Sequence, residues 1–169
     1  MIQDVILKVL TVLSGALLLL FIAAPLVYPY GTFTHLDGIP SVIDHDWSQY
    51  GAMGWVYALG DILCHQEFSR SIVLNGSQMP VCGRDVGLLA GLFAGLIGCF
   101  WIKSLVGDRK YLIIGLILLL PTALEWIAEH VTTLDSMELR IFFGIISGIG
   151  AALIVEHVLN RNISGAEAP

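Results

Sequence analysis

Side chains able to bind a metal ion or to form a disulfide are concentrated in one short polar stretch of the chain. Cys64 is followed directly by His65, and Asp85 comes three residues after Cys82. Thiolate and imidazole together suit zinc or another transition metal of borderline softness, and a carboxylate is a further anionic ligand. Cys64, His65, Cys82 and Asp85 therefore form a candidate metal site. A disulfide between the two cysteines remains the alternative.

An Asn75-Gly76 pair lies between the two cysteines and predicts how they meet. Asn-Gly between two short segments, here 71–74 and 77–79, is a strong signal for a two-residue hairpin. Such a hairpin folds Cys82 back towards Cys64. Redox catalysis by this pair is disfavoured, because the chain has no C-x-x-C motif to supply an attacking and a resolving thiol.

The same stretch resembles a known family of membrane proteins. Its motifs are, in order, Cys64-His65-Gln66, Arg70-Ser71 and Gly76-Ser77-Gln78-Met79-Pro80-Val81-Cys82-Gly83-Arg84. A second block supplies Pro121, Glu125, Ser136, Arg140 and Gly144. Over about residues 60–150 the chain resembles the small prokaryotic membrane proteins designated domain of unknown function 2085. The resemblance implies a membrane topology and an importance of these residues, but no activity.

The chain departs from that family pattern at two places. Many members carry Cys-x-x-Cys at the second cysteine, whereas this chain reads Cys82-Gly83-Arg84-Asp85. A later Asp-Gly of the family is Glu125-Trp126 here. A site with four sulfur ligands is therefore excluded. Asp85 at a position where relatives often have cysteine favours a metal site, since both side chains are anionic ligands.

Composition indicates a membrane protein that forms one domain, residues 1–169. The chain is 56% hydrophobic and 13% charged, with a mean hydropathy of +0.82, which is too apolar for an ordinary soluble domain. A net charge of -6, with eight scattered Lys and Arg residues, argues against nucleic acid as a partner. Cys99 lies in an apolar run and is interpreted as a small buried hydrophobe.

Four apolar segments are long enough to cross a bilayer as helices: 9–27, 86–102, 111–130 and 141–159. The segment 47–63 is rich in aromatic residues but too short in its uncharged part, and it predicts an interfacial helix. The expected fold is an all-α membrane protein with about four transmembrane helices, this interfacial helix and a short extracytoplasmic hairpin. Residues 29–85 form the polar extracytoplasmic segment.

Part of this polar segment is an acidic loop that could bind a cation. It contains His35, Asp37, Asp44, His45 and Asp46. No recognised ligand spacing is present, so a solvated acidic loop is the favoured interpretation.

Basic residues predict the orientation of the chain in the membrane. With the N-terminus in the cytoplasm, five basic residues are cytoplasmic and three lie outside. The first group is Lys8, Lys103, Arg109, Lys110 and Arg161; the second is Arg70, Arg84 and Arg140. The expected location is the cell membrane, with several passes, both termini cytoplasmic and the cysteine stretch exposed to an oxidising compartment.

Charged residues at the span ends are expected to gather at one membrane level, beneath the hairpin. The cluster comprises Arg84, Glu125, Glu129, His130 and Arg140. A carboxylate inside a span costs on the order of 2–4 kcal/mol, so Glu125 is a functional candidate. Ion pairs that merely lock the helices together are the alternative, and we predict that Glu125 and Arg140 depend on each other.

Glycines recur at every fourth residue in two spans and predict close helix packing. They are Gly87, Gly91, Gly95, Gly144 and Gly148. Small residues at this spacing let a neighbouring helix approach.

The function expected from these features is an integral membrane protein whose Cys/His/Asp cluster binds a metal ion or forms a disulfide over a polar pocket in the outer leaflet. The expected cofactor is zinc or another transition metal, or otherwise none. Alternatives are an accessory subunit of a larger membrane complex, or a metal-dependent enzyme with a lipid-like substrate and Glu125 or Glu129 as general base. Expected partners are membrane lipids and either a larger complex or further copies of the chain.

Overall fold

The computed structural model describes residues 2–102, 108–131 and 136–164. Within these ranges the chain forms five α-helices and one two-stranded antiparallel sheet. In chain order they are α1 (Ile2–Val27), α2 (Gly51–Leu63), β1 (Ser71–Leu74), β2 (Ser77–Cys82), α3 (Gly83–Ile102), α4 (Asp108–Val131) and α5 (Met137–Ser164). Short 3₁₀ turns at Ser48–Tyr50 and Phe68–Arg70 precede α2 and β1.

Four of these helices, α1, α3, α4 and α5, are long and apolar enough to cross a membrane. The expected all-α membrane fold is confirmed. Each predicted span lies inside one of these helices, but the helices begin earlier, as at Ile2 for the segment predicted from residue 9. Hydropathy marks only the part that suits hydrocarbon, whereas backbone hydrogen bonds continue a helix through polar residues such as Asp4 and Lys8.

The glycines of α3 and α5 lie where these two helices cross. A Cβ built at any of the five would come closer than 3.0 Å to the opposite helix. At Gly91 it would meet the carbonyl oxygen of Ile145, and at Gly148 that of Leu88. A second close crossing, which the sequence reading missed, joins α4 and α5, where a Cβ on either Gly115 or Gly150 would lie 2.7 Å from the other's carbonyl oxygen.

The predicted hairpin is confirmed. Asn75 and Gly76 have positive φ angles, 53° and 68°, as a two-residue turn of this kind requires. Leu74 pairs with Ser77, and Ser71 pairs with Cys82 across a bulge. The second strand is longer than predicted and runs directly into α3. The hairpin therefore delivers Cys82 to the first turn of a membrane-spanning helix.

An aromatic core holds the polar segment together over one end of the bundle. The Phe33 and Tyr57 rings have centroids 4.1 Å apart, and Trp47 stacks on Tyr57 at 5.2 Å. The 13-residue helix α2 is too short to span a bilayer and packs against α1 and β2. This layer fixes the end of α2, where Cys64 follows.

Candidate metal centre

Cys64 is held in place by its neighbours on both sides. It directly follows α2, and its backbone N–H donates to the carbonyl of Gly60 at 2.8 Å. Gln66, two residues later, is fully buried, and its side-chain amide donates to the carbonyls of Pro80 at 2.8 Å and Tyr57 at 3.1 Å. Gln66 therefore ties the end of α2 to strand β2, and with it Cys64 to the strand that ends in Cys82.

Cys82 and Asp85 approach Cys64 from the hairpin and from α3. The backbone N–H of Cys82 donates to Cys64 Sγ at 3.3 Å, and Cys82 Sγ donates to Asp85 Oδ2 at 3.0 Å. One ligand atom from each of the three residues lies within 4.8 Å of the others. The cysteines come within 3.5 Å of each other and both are free thiols.

The separation of the two cysteines is compatible with a shared metal ion. Two sulfurs bound to one tetrahedral zinc ion at about 2.3 Å each lie about 3.8 Å apart, whereas a disulfide bond measures about 2.05 Å. The observed 3.5 Å is nearer to the first value. Two sulfurs and a carboxylate are ligands that suit a divalent ion of borderline softness.

The surroundings favour negative charge on Cys64. Interaction with the Cys82 side chain holds the pKa of the Cys64 thiol below its ordinary value. The same interaction, together with burial, raises the pKa of the Cys82 thiol. Asp85 lies in the first turn of α3, where the unpaired N–H groups of a helix stabilise anions. Cys64 is therefore the sulfur that ionises first.

His65 does not join this group. Its side chain is exposed, between Cys64 and Gln66, which are both buried. In an extended segment adjacent side chains point to opposite sides, so Cys64 and its immediate neighbour cannot both face the same ion. The structure thus brings together three of the four candidate ligands, Cys64, Cys82 and Asp85, and leaves His65 outside the group.

A group of largely buried ion pairs includes Arg84, the residue before Asp85. Arg84 Nη2 is 2.7 Å from Glu125 Oε2 and 2.7 Å from Glu129 Oε1, and Arg140 Nη2 is 2.9 Å from Glu129 Oε1. The side chains of Glu129 and Arg140 are 4% and 2% exposed. Two arginines and two glutamates therefore form a neutral group between α3, α4 and α5.

This pairing differs from the predicted one. Among the described residues, the arginine within ion-pair distance of Glu125 is Arg84 and not Arg140. Glu125 and Glu129 lie one helical turn apart on α4, and the start of α3 packs beside both, so Arg84 bridges them. The side chain of His130, the fifth predicted member, lies outside the described residues.

An open groove of about 610 Å³ adjoins the ion pairs. Arg84, Thr122 and Ser147 contribute polar atoms, and the rest of the lining is apolar, including Leu88 and Trp126. Ser147 donates to Thr122 Oγ1 at 2.6 Å, and Thr122 donates to the carbonyl of Phe143 at 2.8 Å. Both hydroxyl groups thus donate their hydrogen bonds to other protein atoms and not to a ligand in the groove. The groove is therefore more apolar than the pocket expected from the sequence.

Two buried polar features were missed by the sequence reading. Gln78 lies in β2 with no exposed surface, and its side-chain amide donates to the Gln66 carbonyl. Glu156 is fully buried on α5, where its Oε1 accepts from Gln3 at 3.2 Å and from Asn160 at 3.0 Å. The signal for Glu156 was a carboxylate inside the predicted span 141–159.

Residues 64–154 match the family described as "Predicted membrane protein (DUF2085)". The chain belongs to this family. The matched range begins at Cys64 and contains Cys82, Asp85 and the four residues of the ion-pair group. The candidate metal centre and the ion pairs therefore both lie in the part of the chain that defines the family.

The chain is also similar to two archaeal proteins that are described only as uncharacterized. A protein of Methanocaldococcus jannaschii is 35% identical over 98 residues, which cover 55% of this chain and 61% of that protein. A protein of Methanothermobacter thermautotrophicus is 27% identical over 95 residues, which cover 56% of this chain and 85% of that protein. The match thus spans less than two thirds of the first relative. No solved structure is similar to the chain.

Proposed function

We propose that this protein is an integral membrane protein that holds one transition metal ion, zinc or another of similar softness, through Cys64, Cys82 and Asp85. The observation that carries the proposal is the meeting of two free thiols and a carboxylate from three separate elements: the residue after α2, the end of β2 and the first turn of α3. Such a ligand set is anionic and soft enough to favour zinc over magnesium or calcium.

Three protein ligands leave a fourth position of a tetrahedral ion for water or another ligand. A zinc ion with such an open position lowers the pKa of bound water and polarises carbonyl groups. Cys64 is buried, while Cys82 and Asp85 are half-buried, so solvent would reach a bound ion from the side of the latter two. The apolar groove that Arg84 lines supports a lipid-like molecule as a ligand of this protein.

Metal content is expected to depend on two of the three cysteines. The chain, purified in mild detergent without chelator, should contain about one equivalent of metal, because thiolates bind such ions tightly at neutral pH. Cys64→Ser and Cys82→Ser should each lose the metal. Cys99→Ser is the matched control, since Cys99 is buried beside the Ala152 carbonyl and far from Asp85 along α3. Elemental analysis of the four proteins measures the result.

Alkylation separates the metal from the disulfide. Cys64 and Cys82 should resist alkylation in the purified protein and react once a chelator is added. The sulfurs of a disulfide would stay unreactive after addition of a chelator and would react only after reduction.

Asp85→Asn should weaken metal binding by at least about tenfold, since loss of even an outer partner has that effect. His65→Ala should leave it unchanged. A metal-free parent whose mass is two protons below that of the reduced chain would refute the proposal.

The same proposal places the metal centre on the extracytoplasmic face and both termini in the cytoplasm. The distribution of lysine and arginine supports this orientation, and four helices long enough to span bring the chain back to the side where it began.

Labelling from outside tests this orientation. In intact cells an impermeant maleimide should label Ser69→Cys, an exposed position just before β1, without permeabilisation. Gly107→Cys, in the connection beside Arg109 and Lys110, should react only in opened cells. The reverse pattern would invert the arrangement.

A further inference from the structure

A second group of metal-binding side chains lies away from the thiol centre. Asp44 and His45 belong to the acidic loop before α2, and Asp61 lies in the last turn of α2. His45 Nδ1 is 2.7 Å from Asp44 Oδ1 and 3.7 Å from Asp61 Oδ2. One ligand atom from each of the three lies within 4.8 Å of the others. The sequence of the loop alone shows no recognised ligand spacing, because the third residue of the group, Asp61, lies in α2.

Asp61 has a buried oxygen that is left without a partner. The residue is 1% exposed, and its Oδ2 accepts the indole N–H of Trp47 at 2.6 Å. Its Oδ1 is buried and accepts no hydrogen bond from any described residue. His45 Nδ1 is also buried, and its contacts with the two carboxylates lack the alignment of a hydrogen bond. Buried polar atoms are rarely left in this state, so each such atom points to a missing partner.

Both carboxylates are oriented by a backbone or indole N–H, as metal-binding carboxylates usually are. Asp44 Oδ2 accepts from the N–H of Ile39 at 3.2 Å, which leaves Oδ1 beside His45. The indole N–H of Trp47 holds Oδ2 of Asp61, the oxygen that lies 3.7 Å from His45 Nδ1, while Oδ1 has no hydrogen-bond partner among the described residues. Outer partners of this kind fix the direction in which a ligand presents its remaining lone pairs.

The spacing suits a divalent ion with nitrogen and oxygen ligands. Ligand atoms bound to one ion at about 2.1 Å lie roughly 3.0–3.4 Å apart in octahedral or tetrahedral geometry. The two observed separations, 2.7 Å and 3.7 Å, bracket this range. One imidazole and two carboxylates suit manganese, ferrous iron or zinc.

We propose that Asp44, His45 and Asp61 form a second divalent-cation site, independent of the thiol centre. His45 lines two clefts, of about 280 Å³ and 270 Å³, so solvent reaches its side chain. Bound there, the ion joins the acidic loop to α2, the helix that ends at Cys64, and so stabilises the polar segment.

Manganese is the probe, because Mn²⁺ prefers nitrogen and oxygen ligands to thiolates. Titration of the detergent-purified chain, followed by the electron paramagnetic resonance signal of free Mn²⁺, should show one saturable site. Asp44→Asn and His45→Gln should each weaken it by at least about tenfold, since each removes a ligand. Both positions are partly solvent-exposed, so the variants should fold.

Asp46→Asn is the matched control. It changes the same charge two residues from Asp44, but Asp46 bonds to Ser48 and lies outside the group. It should weaken the affinity much less than Asp44→Asn does, because the side chain of Asp46 is exposed and supplies no ligand atom to the group. Mn²⁺ should raise the unfolding temperature of the parent and of Asp46→Asn, but not that of Asp44→Asn. Two results would overturn the proposal: no saturable site in the parent, or equal weakening by Asp46→Asn and Asp44→Asn, which would indicate diffuse attraction to an acidic loop.

Discussion

Arg84→Met is expected to lower the free energy of unfolding by about 3–5 kcal/mol, because it leaves the largely buried carboxylate of Glu125, 9% exposed, without its partner. Glu125 has Arg84 as its ion-pair partner among the described residues, whereas Glu129 keeps Arg140 at 2.9 Å. The variant therefore has one uncompensated negative charge at membrane depth. Unfolding in mixed micelles with increasing denaturing detergent measures the loss.

Arg70→Met is the matched control for this change. Arg70 pairs with Glu67 at 3.0 Å, but both side chains are more than a third exposed, 37% and 43%. An exposed pair of this kind contributes about 0–1 kcal/mol. The same substitution should thus have a small effect at residue 70 and a large one at residue 84.

A second substitution tests the pairing itself. Adding Glu125→Gln to Arg84→Met removes the orphaned charge and leaves Arg140 with Glu129, so the double variant should be more stable than Arg84→Met alone. The coupling between residues 84 and 125 should reach about 1–3 kcal/mol, as for other residues in one ion-pair network. Strictly additive losses would show that Arg84 and Glu125 do not interact, and the ion-pair group described here would be wrong.

Gly91→Ala is expected to destabilise the protein by about 1–3 kcal/mol, and Gly91→Leu by more, because added atoms force a packed interface apart. A Cβ at residue 91 would meet the carbonyl oxygen, the carbonyl carbon and the Cα of Ile145. These are all backbone atoms, which no side-chain rotation can move away. Separation of α3 from α5 is the expected structural result.

Gly98 provides a control on the same helix. A Cβ at Gly98 would meet no atom within 4 Å. Alanine is favoured over glycine inside a helix by roughly 0.5–1 kcal/mol, so Gly98→Ala should stabilise the protein slightly. Opposite signs at residues 91 and 98, measured by the same unfolding assay, would establish close packing as the cause. A loss at Gly98 equal to that at Gly91 would contradict it.

Several features of this protein follow from its sequence alone, because they depend on residues close together in the chain. Apolar length determines which helices can span a bilayer, and the four spans were identified on that basis. Asn75-Gly76 determines a hairpin, since both residues accept positive φ angles. Glycine at every fourth position marks one helix face whatever lies opposite. The sequence also indicated that Cys82 returns to Cys64.

The partners across the structure were decided by tertiary packing. From the sequence we predicted that Glu125 and Arg140 depend on each other, whereas the approach of α3 to α4 pairs Glu125 with Arg84. His65 shared a motif with Cys64, yet the extended backbone there turns its side chain outward. Asp61 joined Asp44 and His45 only because α2 folds back onto the loop. For Glu125 and for Asp61 the deciding distance joins atoms on different elements, and residue spacing along one element does not encode such a distance.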